Sequence, residues 1–158
     1  MKQPKTNAMR LLDSKKIAYR LMLYDSNDGK IDGVSVAEKI GRDPKQVYKT
    51  LVAQGTSRQL YVLMVSVEKE VNLKKAAQLT GEKKLEMIPV KDIQKWTGYI
   101  RGGCSPIGMK KLYPTYIDQS SSDLELIIVS GGKIGVQMEI LVEDLIAVTD
   151  ARVGDIII

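Results

Sequence analysis

Between Gly102 and Gly108 the chain sets three glycines and a proline in seven residues, Gly102-Gly-Cys-Ser-Pro-Ile-Gly108. Glycine admits positive φ and lets backbone approach backbone, while Pro106 stiffens the turn. No helix or strand continues through such a segment, so the fold is built on either side of a fixed loop. The loop belongs to a longer run, Gly98-Tyr-Ile-Arg-Gly-Gly-Cys-Ser-Pro-Ile-Gly-Met-Lys-Lys111. Its bare N–H groups can receive a carbonyl or a developing oxyanion. A tight structural connection would use the same residues.

On the N-terminal side, Thr6 caps a helix to about Lys16 that buries Met9, Leu12 and Leu11. Tyr19 to Leu23 alternates like a strand, and Asp25 to Gly33 is a polar turn region. Ser35-Val-Ala-Glu38 has the capping-box spacing, with Gly41 as the stop of a short helix. Asp43-Pro44 begins another helical turn. Strands at Tyr48–Gln54 and Leu60–Val67 are joined by a turn at Gly55–Arg58. Asn72 caps a helix that ends near Gly81, and a further helix covers about Val90–Thr97, with Trp96 in the core at helical spacing from Ile93.

Beyond the loop, short strands are expected at Thr115–Ile117, Glu125–Ser130, Gly135–Ile140 and Ala147–Thr149, with a short helix near Val142–Leu145. Ser130-Gly-Gly-Lys-Ile-Gly135 lies between two apolar strands and reads as a hairpin turn. Helices and strands mix without strict βαβ alternation. The expectation is therefore an α+β fold in which helices flank a mixed, curved β-sheet, with residues 1–158 as a single domain.

The residue inventory removes several chemistries. The 158 residues include no histidine and one cysteine. A zinc site or a Ser-His-Asp triad within the chain is out, and the scattered carboxylates suggest no metal cage. One cysteine builds no disulfide framework, which points to a reducing cytoplasmic setting. No apolar run approaches the roughly 20 residues of a membrane span, and the N-terminus has no signal-peptide pattern.

The net charge of +5 is unevenly placed. Lys69 to Lys111 holds ten basic side chains against four acidic ones, and the remainder holds fourteen against fifteen. A positive field beside the glycine loop suits a polyanion such as RNA. It also describes a pair of solvated lysine-rich helices, which composition by itself favours.

Val47-Tyr-Lys-Thr-Leu-Val52 puts a lysine inside an apolar β-type run. Strand alternation sets Lys49, Leu51 and Ala53 on one face and Tyr48, Thr50 and Val52 on the other. At the mouth of an apolar pocket, the Lys49 ammonium can anchor a carbonyl, carboxylate or phosphate oxygen. A lysine snorkelling from a half-exposed strand fits the same pattern. Cys104 has no histidine to act as its base and is read as a small loop residue.

Taken together, five separated segments carry a resemblance. Lys5-Thr-Asn-Ala-Met9, Val47–Val52, Gly98–Gly103, Ser105–Lys110 and Val129-Ser-Gly-Gly132 resemble, in order, the YbaK/EbsC family of free-standing aminoacyl-tRNA deacylases. These are relatives of the editing insertion domain of bacterial prolyl-tRNA synthetases. The resemblance implies the YbaK/prolyl-tRNA synthetase-associated domain fold and trans-editing of mischarged Cys-tRNA(Pro), with no cofactor and no metal. It implies Lys49 as the key catalytic residue. Gly102, Gly103, Ser130, Gly131 and Gly132 would supply pocket backbone and a hydroxyl, and Tyr24 and Thr50 would line the same pocket.

Two departures are visible: Tyr48 stands where phenylalanine is common, and Cys104 where an aliphatic residue is usual. The implied partners are an aminoacyl-tRNA, tRNA(Pro), and prolyl-tRNA synthetase, with no membrane. In the implied mechanism the cysteinyl thiol of the substrate attacks its own ester. Two alternatives are an Ala-tRNA(Pro) deacylase that uses water and a non-catalytic tRNA- or synthetase-binding module.

Overall fold

Thr6 starts the first helix as its position suggests. Its Oγ1 accepts the Met9 N–H at 3.2 Å, and α1 runs Asn7–Ser14. The computed structural model describes residues 4–158. Ala8, Met9 and Leu12 are buried, and Leu11 packs at the margin of the same cluster. β1 (Arg20–Leu23) follows.

α2 (Gly33–Lys39) begins before the expected capping box, because Asp32 takes the cap by accepting the Ser35 N–H at 3.1 Å. A 3-10 turn at Pro44–Gln46 leads into β2 (Tyr48–Gly55), which pairs antiparallel with β3 (Leu60–Ser66). Asn72 accepts from the Lys74 and Lys75 N–H groups and starts α3 (Leu73–Thr80), which Gly81 ends at φ +77°.

β4 (Leu85–Met87) has no sequence signal, being three residues long with two exposed. It exists because Ala53–Gly55 offers it a pairing edge. α4 (Ile93–Thr97) follows a 3-10 turn at Val90–Asp92 and stops at Gly98, φ +86°. Trp96 is 38% exposed on α4 rather than in the core, while Ile93 packs inward.

β5 (Thr115–Asp118), β6 (Leu126–Lys133) and β7 (Val136–Leu141) come next. α5 (Val142–Thr149) then runs through the stretch expected as a strand at Ala147–Thr149. Val142, Leu145 and Thr149 are its buried positions, and that helical spacing overrides the β-branched composition. Only after Asp150, at φ +54°, does β8 (Arg152–Gly154) begin.

The mixed sheet has five strands in the order β4-β2-β3-β5-β8, with β3, β5 and β8 parallel to one another. A second, antiparallel sheet has the order β1-β7-β6. A parallel bridge between Val47 and Ile128 joins the start of β2 to β6. α1, β5, β6, β7 and α5 share the main core around Met9, Leu12, Ile117, Ile127, Met138 and Leu145. A second cluster lies under α3, with Ala53, Leu63, Val65, Ala76 and Ile156.

Candidate functional site

Where β2 meets β6, a cleft of about 110 Å³ opens between the two sheets. Lys49 and Thr50 of β2, Ser130 of β6, Gln137 of β7 and Gly102 and Cys104 of the glycine loop line it. Ile31, Gly33, Val36, Val47 and Val67 supply an apolar wall. Gly33 is required there by contact, since a side chain at that position would run into Val67.

Lys49 lies opposite Val65 in the β2–β3 ladder, and β4 pairs with β2 only over Ala53–Gly55. The side chain of Lys49 is 27% exposed, and its Nζ is 3.7 Å from a Glu70 carboxylate oxygen that is mostly in water. Such a pair contributes little, so the ammonium keeps donors for an incoming oxygen. Thr50 Oγ1 is buried and has no hydrogen-bond partner among the described residues. Leaving a hydroxyl in that state costs about 1–3 kcal/mol, a cost removed when a bound group supplies the partner. Ser130 Oγ accepts the Gly132 N–H at 3.2 Å, which orients its oxygen and leaves its O–H free to donate.

The glycines divide between two tasks. Gly102, at φ +85°, is in the cleft wall, and a Cβ there would meet Ile31 Cδ1 at 2.9 Å. Gly103 lies behind the wall: its N–H is donated to the Ile100 carbonyl at 3.0 Å. A Cβ on Gly103 would lie 2.8 Å from the Ile134 nitrogen and 2.9 Å from Lys133 Cα.

Gly131 and Gly132 form a bulge in β6, since Ser130 pairs with Gln137 but Lys133 with Val136. The Gly131 carbonyl accepts the Thr6 hydroxyl at 2.6 Å. Gly132, at φ +100°, packs against Thr6 and the Tyr99 ring. These three glycines join the loop, the α1 cap and the β6–β7 hairpin. They are not in the cleft lining, and neither is Tyr24. Tyr24 donates its N–H to Gly135 at 3.0 Å and lies under the Lys39 ammonium, with its own hydroxyl buried and unpartnered among the described residues.

Two features escape a reading of the sequence. Gln137 is one of two buried polar side chains in β7; the other, Glu139, is paired with Arg42, and a polar residue left over in a run of buried apolar ones is the signal that could have found Gln137. The N–H groups of Gly102 and Cys104 have no partner among the described residues, and both residues are in the wall. No local pattern separates them from the bonded N–H of Gly103.

Burial pushes the Cys104 thiol up to about 11. A thiol with a raised pKa is protonated, and therefore a poor nucleophile, at every pH well below that value. Iodoacetamide should modify Cys104 at pH 7.5 at least ~10²-fold more slowly than a free thiol, with the rate still climbing above pH 9. Mass spectrometry on the intact protein reads this directly, and rapid labelling at neutral pH would show a thiolate in the cleft.

The family model for the aminoacyl-tRNA editing domain matches residues 32–148, which span α2 to α5 and contain every wall residue except Ile31. A protein of Enterococcus faecalis (strain ATCC 700802 / V583), provisionally named Cys-tRNA(Pro)/Cys-tRNA(Cys) deacylase EbsC, is 40% identical over 154 residues, covering 98% of this chain and 94% of its own. The crystal structure of a protein provisionally described as a trans-editing enzyme for prolyl tRNA synthetase superposes with a TM-score of 0.86 at 22% identity, over 99% of both chains. A protein of unassigned function superposes with a TM-score of 0.88 at 18% identity, over 97% of this chain and 100% of its own. At such identities the two structures establish a shared fold.

Proposed function

The chain belongs to the aminoacyl-tRNA editing domain family, and from that premise we propose that its cleft deacylates mischarged tRNA, Cys-tRNA(Pro) before others. One observation carries this reading. The cleft is lined by a lysine, a threonine with an unpartnered buried hydroxyl and two loop residues whose N–H groups are unpartnered among the described residues, and its lining includes no histidine or carboxylate. Such a site suits a reaction whose nucleophile arrives with the substrate.

In the proposed step the cysteinyl thiol gives up its proton and its sulfur bonds to the ester carbonyl carbon. The carbon–oxygen bond to the ribose then breaks, and the ribose oxygen leaves as a hydroxyl after gaining a proton. The other product is a strained thiolactone, which water opens later. Lys49 positions the ester, and the N–H groups of Gly102 and Cys104 receive the carbonyl oxygen as charge develops. Thr50 and Ser130 offer hydroxyls to the amino acid.

Residues 1–158 act in this reading as one cytoplasmic domain without metal or cofactor. Recognition of tRNA(Pro) comes from prolyl-tRNA synthetase in a shared complex.

Cys-, Ser- and Ala-tRNA(Pro) offered in parallel test the step. The cysteinyl ester should be cleared at least ~10²-fold faster than the other two, because an intramolecular thiol carries a high effective molarity. Equal clearance of the alanyl ester would replace the thiol by water. Clearance of none would leave a binding module.

A further inference from the structure

Lys91, Lys95, Arg101, Lys110 and Lys111 are all exposed, and none forms an ion pair among the described residues. Over Val90–Leu112 they face one anion, Asp92. Chain contacts bring Lys110 and Lys111 beside Lys95. Lys110 donates its N–H to the Thr97 carbonyl at 3.1 Å and its Nζ to the Lys95 carbonyl at 3.2 Å. The Tyr113 hydroxyl donates to the Trp96 carbonyl at 2.7 Å. Residues 109–113 therefore lie beside the C-terminal end of α4.

Four large apolar side chains stand exposed in the same stretch: Val90, Trp96, Ile100 and Leu112, the last 70% in solvent. Trp96 already has the Lys95 ammonium 4.8 Å from its ring centroid. The surface also leads to the cleft, because Ile100 and Arg101 immediately precede Gly102 in the cleft wall.

Exposed apolar groups set among unpaired cations match a strand that carries phosphates along one edge and flat bases along the other. We infer that this surface is the track for the single-stranded 3′ end of the tRNA. Lys95, Lys110 and Arg101 take its phosphates, and Trp96 stacks a base upstream of the ester held in the cleft. An acidic protein segment would satisfy the cations but would not call for an exposed indole. The inference rests on the deacylase reading only in naming tRNA as the nucleic acid.

Trp96 is the sole tryptophan, so its fluorescence reports on this surface in the unaltered protein. The probes are an uncharged acceptor minihelix with four unpaired 3′ nucleotides, the same duplex ending blunt, and poly-glutamate. Anisotropy of labelled RNA reads binding independently. The minihelix should quench Trp96 by roughly half and bind about tenfold more tightly than the blunt duplex. A Lys95→Gln and Lys110→Gln double variant should raise KM about tenfold with kcat within twofold. Its salt dependence should be shallower by about 0.7 per lysine removed.

Hydrolysis of a small cysteinyl ester, which has no phosphates, should be unchanged in that variant. Binding of the minihelix without a change in Trp96 would put the track elsewhere. Quenching by poly-glutamate alone, or no binding of any RNA, would overturn the proposal. Uncharged RNA needs no deacylation, so RNA binding without ester cleavage would refute the activity and leave the track standing.

Discussion

Lys49→Ala is expected to lower kcat/KM for Cys-tRNA(Pro) by at least ~10²-fold, the scale set by removal of one preorganised electrostatic contact at a reacting carbonyl. Lys49 is the cation in the cleft wall, and Glu70, its ion-pair partner, is 79% exposed and can rehydrate once the lysine is gone. The substitution therefore strands no buried charge, and the fold should lose no more than about 1 kcal/mol. Lys49→Arg is informative in a different way. A planar guanidinium keeps the charge but changes its reach and donor geometry, so partial activity would mean that charge counts for more than position. Single-turnover deacylation beside a thermal melt separates chemistry from folding. A folded Lys49→Ala protein within a few-fold of the unaltered rate would remove the lysine from the mechanism.

Gly103→Val is expected to have the largest effect on stability. Its Cβ would sit inside contact distance of the Lys133–Ile134 backbone, which is fixed by the β6–β7 hairpin and has no rotamer to change. Relief requires the glycine loop to lift off the hairpin, at a cost of roughly 1–3 kcal/mol. At 2–4 °C per kcal/mol for a chain of this size, the melting point should fall by up to about 10 °C. Activity should fall further than stability, since the same displacement carries Gly102 and Cys104 out of the wall.

Gly41→Ala is the contrasting case. Gly41 has φ +68° with nothing within 4 Å of a would-be Cβ. That change costs about 1–2 kcal/mol of backbone strain and leaves turnover intact. Equal effects of the two substitutions on activity would refute close packing as the role of Gly103.

What the sequence makes legible follows from how local each cause is. Thr6, Asn72, Gly81 and Gly98 announce helix ends because caps act within three residues. β2 and β3 are readable because each is a largely β-branched and apolar run bounded by turn residues, interrupted early in β2 by Lys49 and Thr50. β4 and β8 are not, because three-residue strands owe their existence to partners far along the chain.

At the cleft, Lys49, Thr50, Gly102 and Ser130 come together from three segments of the sequence. The contrast between Gly102 and Gly103 was invisible, since two adjacent glycines differ only in which N–H the fold has already bonded. Trp96 shows the opposite failure: helical spacing made it look like core, and only the packing of α4 leaves it outside.

The parallel pairing of β5 with β3 has a kinetic consequence. These strands are neighbours, yet α3, β4, α4 and the whole glycine loop are threaded between them in the chain. Likewise β1 pairs with β7 across more than half the sequence. Such distant pairings close large loops before any contact compensates, which places refolding in the millisecond-to-second range. The cleft walls meet only when those closures are complete. A half-folded molecule therefore has no partial site, and the last phase seen by fluorescence should also be the phase in which ester cleavage returns.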